Sequence, residues 1–224
     1  MCTNYKPASR EIIARIFALD DVDALPDYPD EAWPGYLAPF VDRSELGRFR
    51  ARAGSFGLVP FWARDAKIAR HTYNARSETV AEKPAFRQAW QRGQRCLVPM
   101  LRFFEPDWTT GKAVRWRIER ADGEPFAIAA IHDRWVDRAS GLASSSFSLL
   151  TINADGHPVM GRFHREGDEK RSLVPIAPAD WSAWLDDEPE GAARLLRPMA
   201  AGDFTAAPDP RPPAARRRVA PADD

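Results

Sequence analysis

The strand pattern constrains this chain more than any other feature. Val114, Trp116 and Ile118 alternate with charged residues, Asp122-Gly123 supplies turn chemistry, and residues 126–131 return as an apolar run. A half-buried strand, a tight turn and a deeply buried strand in that order predict a hairpin. Further strands are predicted at 56–59, 96–98, 101–105, 146–152 and 172–176. Helical spacing is confined to short stretches: 11–19, with Ile12, Ile13, Ile16, Phe17 and Leu19, then 84–92 with Phe86 and Trp90, and 179–185 with Trp181, Trp184 and Leu185. Parallel strands need long crossovers, usually helical, and no regular strand–helix alternation exists here. The prediction is therefore an α+β domain built on antiparallel sheet, with short flanking helices.

The core is well supplied, because 44% of the 224 residues are hydrophobic and eight Trp and twelve Phe are among them. No apolar stretch approaches membrane-spanning length, and Asp20, Asp21 and Asp23 follow the first helical pattern where a secretory signal would need apolar residues. These features predict a cytoplasmic protein. The only cysteines, Cys2 and Cys96, form no CxxC or Cys/His cluster, so neither a disulfide framework nor a structural metal is expected. From about Ala206 the chain becomes rich in Pro, Ala and Arg. This divides it into a domain over 1–205 and a tail over 206–224 expected to be disordered, in which Arg216, Arg217 and Arg218 serve solubility or add non-specific phosphate attraction.

A net charge of zero conceals segregation. Residues 1–42 carry three basic and eight acidic side chains, whereas 43–102 carry thirteen basic and four acidic. The middle block includes Arg48, Arg50, Arg52, Arg64, Lys67, Arg70, Arg76, Arg87, Arg92 and Arg95, interleaved with Phe56, Phe61, Trp62 and Tyr73. If the fold gathers them, they form a face that neutralises phosphates and stacks bases of a single strand; if not, they are a solvated surface balanced by the acidic first segment.

Position 2 carries the chemistry. Removal of Met1 would give Cys2 a free α-amine beside its thiol, and the amine, with a reference pKa of about 7.7–8.0, is substantially unprotonated near neutrality. A 1,2-aminothiol condenses with aldehydes: the amine forms an imine with loss of water, and the thiol closes a five-membered ring on the imine carbon. An internal cysteine could supply only half of that reaction.

Four strings accompany it: Met1-Cys2, GLVPFWARD from Gly57, NARSET from Asn74, and RCLVP followed by RFFE ending at Glu105, with His164 later in GRFHREGDEKR. Together they resemble the SRAP family, the SOS-response-associated peptidase-like proteins that attach covalently to abasic sites in single-stranded DNA. The resemblance runs from Cys2 to about Leu185. It implies a single barrel-like domain without a cofactor, acting as a monomer on single-stranded DNA containing abasic sites, with no membrane partner, and nucleoid-associated when bound.

By this resemblance Cys2 is the nucleophile that closes a thiazolidine on the abasic aldehyde. Asn74 holds the N-terminal residue or the sugar, Glu105 is the acid/base carboxylate, and His164 assists ring opening or relays protons. Arg76, Arg87 and Arg171 are candidate phosphate contacts, Arg171 being also able to orient a carboxylate, while Phe61 and Trp62 form a wedge or stacking surface. His71, His132 and His157 match no motif and are expected to be structural. The chain departs from the family pattern at Thr3 and Asn4, where Gly-Arg is common, at Arg102 and Pro106 around the RFFE string, and at the six-residue insert REGDEK between His164 and Arg171.

Three functions follow: an abasic-site crosslinker with β-elimination as a side reaction, a thiol peptidase using Cys2 and His164, or a single-strand binding domain in which Cys2 is incidental.

Overall fold

The computed structural model describes residues 2–211. In chain order the elements are β1 (Asn4–Pro7), α1 (Arg10–Phe17), β2 (Leu37–Arg43), β3 (Phe49–Phe56), β4 (Asn74–Arg76), α2 (Arg87–Gln91), β5 (Arg95–Asp107), β6 (Val114–Arg120), β7 (Phe126–Val136), β8 (Ala143–Asn153), β9 (Arg171–Leu173), β10 (Pro175–Ile176), α3 (Trp181–Asp186), α4 (Pro189–Ala193) and β11 (Phe204–Pro208). Strands β7, β8, β3, β2 and β5 pair in that order and β5 pairs back to β7, closing a five-stranded barrel. The expected single α+β domain with short flanking helices is what the chain builds. Two of its pairings are parallel, β3 with β8 and β4 with β8.

The long strand β5 organises the molecule. Its first half, Arg95 to Met100, pairs with β7, and its second half, Arg102 to Asp107, pairs with β6. Leu97 meets Val41 of β2, while β1 runs from Met100 to Phe104. Hence β6 and β7 lie end to end along one edge of β5, with β1 and β2 along the other. The expected hairpin is therefore corrected: the Asp122-Gly123 turn joins two collinear strands rather than folding one back on the other. Strands predicted separately at 96–98 and 101–105 are one strand.

Alternation along these strands divides the core in two. Cys96, Val98, Met100, Ile128 and Ala130 face the barrel interior with Tyr5, Phe40, Phe56 and Phe147. Leu97, Ala129 and Ile131 face outward against Ile13, Phe17, Trp90, Trp181 and Trp184 of the flanking helices. Both faces of β5 and β7 are buried, which is why they read as continuous apolar runs. Helix α1 starts where the Ser9 hydroxyl accepts from the Ile12 amide; Trp184 is locked by its indole N–H donating to the Cys96 carbonyl at 2.9 Å.

Strands β2 and most of β3 were not predicted. On β3 Arg50 and Arg52 share the face of Phe40, their side chains closing one end of the barrel where both bind the buried Asp42 of the neighbouring strand. At the far end of the chain, β11 pairs with β6 through Pro208, so ordered structure continues past the boundary expected at residue 206. Arg211 still pairs with Glu31, and the rest of the expected tail, residues 212–224 with Arg216, Arg217 and Arg218, lies outside the described residues. No helix among the described residues is long and apolar enough to cross a membrane.

Candidate active site

The antiparallel register of β1 on β5, with Asn4 opposite Phe104, carries the first residues along β5 toward Glu105. Tyr5, fully buried edge-on to Phe56, anchors this segment. Asn4 donates to the Ala32 carbonyl and accepts from Arg115. Cys2 is 1% exposed, and its thiol donates to the Asn4 carbonyl at 3.3 Å. On the other side Asn74, first residue of β4, donates its Nδ2 to the Cys2 carbonyl at 2.8 Å. The parallel pairing of Asn74 with Leu149 fixes where that amide projects. Its Oδ1 is buried and has no hydrogen-bond partner among the described residues.

The Glu105 carboxylate is 3% exposed and lies 3.3 Å from His164 Nε2. His164 occupies the left-handed region, at φ +69°, which costs a non-glycine residue free energy and persists only where neighbours enforce it. Several do. The His164 amide donates to the Pro106 carbonyl, its own carbonyl accepts from Lys170 Nζ, and Phe163 bridges to Asp107. Arg162 completes the clasp, 2.6 Å from the Asp107 carboxylate and stacked over Trp116.

Burial dominates the electrostatics. It pushes the Glu105 carboxyl up to about 7 and holds the His164 imidazole down to about 4. Near neutrality His164 is thus uncharged while Glu105 is poised to give or take a proton. Burial, followed by the charge of Glu105, also pushes the Cys2 thiol up, so the thiol is held protonated. Tyr73, half-buried next to Asn74, is raised by the same burial and by the charges of Cys2 and Glu105.

The structure therefore brings Cys2, Asn74, Glu105 and His164 together from four separate strings. Asn74 also forms part of the wall of a cavity of about 390 Å³ shared with Trp62, His71, Arg76, Lys83 and Pro84. Trp62 is 42% exposed and tethered by its indole N–H to the Pro84 carbonyl; Phe61 is 49% exposed beside Arg92. Arg76 is half-exposed and paired with Glu169 at 2.9 Å. Arg87 is exposed on α2 and is not part of this wall, although the preceding Phe86 is.

Arg171 differs from the phosphate contact expected of it. It is 2% exposed, and its guanidinium is taken up by Glu78, Glu169 and the Thr151 carbonyl. Of its two expected roles, the geometry offers the orientation of carboxylates. His132 and His157 are structural as expected: His132 is stacked on Phe40, and both ring nitrogens of His157 are occupied by backbone groups. His71, expected to be structural, is instead exposed in the cavity wall; Tyr73, read only as one of the aromatics of the basic block, and Lys83 and Arg162 were not singled out as site residues. Tyr73 and Lys83 flank the NARSET string, and that adjacency was the one available signal.

The chain matches the model of the SOS response associated peptidase (SRAP) family over residues 1–209. It is 37% identical over 93 residues to the abasic site processing protein YoaM of Bacillus subtilis (strain 168), a match covering 41% of this chain and 38% of that protein. It is 33% identical over 110 residues to the abasic site processing protein YobE of the same organism, covering 49% and 47%. The aligned segments thus span less than half the length of these relatives. A solved structure from Bordetella bronchiseptica superimposes with a TM-score of 0.84 at 34% identity, covering 93% of this chain and 99% of that one. A second, from Bacteroides thetaiotaomicron, does so at 0.75 with 24% identity and coverage of 92% and 90%, and shows the fold alone. The match over nearly the whole length, with the barrel, its buried Cys2, Asn74 and Glu105 and the adjoining His164, places the assignment beyond a single motif: this chain belongs to the SRAP family.

Proposed function

We propose that this protein captures abasic sites in single-stranded DNA as a covalent crosslink through Cys2. The observation that carries the reading is the placement of Cys2, held by Asn74, beside the buried Glu105–His164 pair. With Met1 removed, the α-amine of Cys2 attacks C1′ of the ring-opened deoxyribose. Protonated Glu105 supplies the proton that leaves with water as the imine forms. The thiol then adds to the imine carbon, its proton going to the nitrogen, and a thiazolidine results with one water released overall. Neutral His164 takes the proton that the nitrogen sheds as the imine forms and passes it to the Glu105 carboxylate, or assists opening of the sugar. The unmet Asn74 Oδ1 suits a hydroxyl of the opened sugar. Trp62, Phe61 and Arg76 line the approach as stacking surface and phosphate contact.

Closing the ring removes the imine that would otherwise undergo β-elimination, so strand cleavage is a minor product. Mixing the purified protein, its N-terminus verified by mass, with an oligonucleotide bearing one abasic site tests this on a denaturing gel. A shifted band that needs both the lesion and Cys2 is expected. No band from protein verified to lack Met1 overturns the reading. Cleavage of unrelated peptides under those conditions would point to the thiol peptidase instead.

A further inference from the structure

The segment between His164 and Arg171 carries a carboxylate, Glu169, paired with Arg76, one of the candidate phosphate contacts. Glu169 divides its two oxygens between two guanidiniums. Oε1 lies 2.7 Å from buried Arg171, while Oε2 lies 2.9 Å from half-exposed Arg76. Arg171 does not depend on this contact, because Glu78 holds it with both oxygens, at 3.0 and 2.8 Å, and the Thr151 carbonyl accepts at 2.7 Å. Arg76, in contrast, makes its ion pair with Glu169 at the rim of the cavity that contains Asn74. The neighbouring guanidinium and the Asn153 amide keep Glu169 ionised, holding its carboxyl below the usual carboxylate range.

We propose that Glu169 is a specificity-determining residue: by occupying Arg76 it weakens the hold on any phosphate, so that intact single-stranded DNA is released and retention depends on covalent capture of the lesion. This inference rests on the crosslinking reading above. A phosphate reaching Arg76 must displace or share with Glu169, and both charges are exposed enough for the exchange to be fast. The competitor acts equally on damaged and undamaged strands before reaction, but only the aldehyde makes binding irreversible on the time scale of release.

Glu169→Gln is the informative variant. A glutamine can present its oxygen to Arg171 and its NH2 group to Arg76, keeping the buried contact while ending the attraction at the rim. The expected result is about threefold to fivefold tighter binding of an intact single-stranded oligonucleotide, read by fluorescence anisotropy with Cys2→Ser protein. In protein retaining Cys2, the same variant makes crosslinking to an abasic strand more easily inhibited by intact competitor. Arg76→Ala should weaken binding and erase the gain from Glu169→Gln.

Unchanged or weaker binding by Glu169→Gln, with an unfolding midpoint like the parent's, overturns the inference. Should that midpoint fall, Glu169→Ser supplies the same comparison with both contacts removed, and unchanged or weaker binding by it is equally decisive. Failure of the parent protein to crosslink an abasic strand overturns the functional reading instead, whatever the anisotropy of the variants shows.

Discussion

Glu105 stores a conflict between stability and chemistry. Its carboxyl ionises at about 7 in the fold and at about 4.3 in an unfolded chain, so its contribution to stability is fully present below the lower value and lost as pH rises through the upper one. His164 runs the other way, since its depressed value of about 4 makes stability fall as pH drops from about 6.5 through that range. Glu105→Gln is therefore expected to raise the thermal midpoint at about pH 8 and to change it far less at about pH 5, by a free-energy difference on the order of 2 kcal/mol. The same substitution should abolish most crosslinking. In the parent, the crosslinking rate should peak between about pH 7 and 8, where free amine and protonated Glu105 coexist. Asn74→Ala, which releases the Cys2 carbonyl, should slow capture by about tenfold while the protein stays folded. The residue types of this site were legible in four strings, yet their convergence was not: nothing local says that Asn74 reaches Cys2 or that His164 takes a left-handed conformation beside Glu105.

Elements were legible where burial left a period and obscure where pairing did the work. Helix α1 and strands β6 and β8 were anticipated because their apolar spacing is visible, whereas β3 is masked by Arg50 and Arg52, whose charges are answered by Asp42 on the strand opposite. The Asp122-Gly123 turn was misread because a turn signal reports a local bend and not which partner each flanking strand takes; β5 is long enough to bind both. A glycine at the end of β3 supplies another test. Gly57 has φ +120°, and a Cβ there would come 2.2 Å from the Ala69 carbonyl oxygen in the 3-10 turn Ala66–His71. Gly57→Ala is expected to destabilise by about 3 kcal/mol or more, seen as a lower urea midpoint. It should also disturb the segment bearing Phe61 and Trp62, which follows directly.

At the scale of the whole molecule, the basic block of residues 43–102 divides rather than forming one face. Arg43, Arg50, Arg52 and Arg102 are paired with carboxylates, and Arg95 is buried against backbone carbonyls. Arg64, Lys67, Arg70, Lys83, Arg87 and Arg92 remain exposed on the crossover between β3 and β5, together with Phe61 and Trp62. A chain of zero net charge has no long-range pull on DNA, so only these local cations, together with half-exposed Arg76, should count. With two or three phosphates neutralised, the logarithm of the binding constant for single-stranded DNA should fall with the logarithm of salt at a slope of about −2. A titration across salt concentrations checks this, and a slope near zero would remove the crossover from the binding surface. The end-to-end arrangement of β6 and β7 has a practical consequence. Because each strand is held by its own half of β5, the exposed joint between them at residues 121–124 bears no ladder. It is a natural port for grafting a fluorophore or epitope, one that would report on the protein in a living cell while leaving both the barrel and Cys2 untouched.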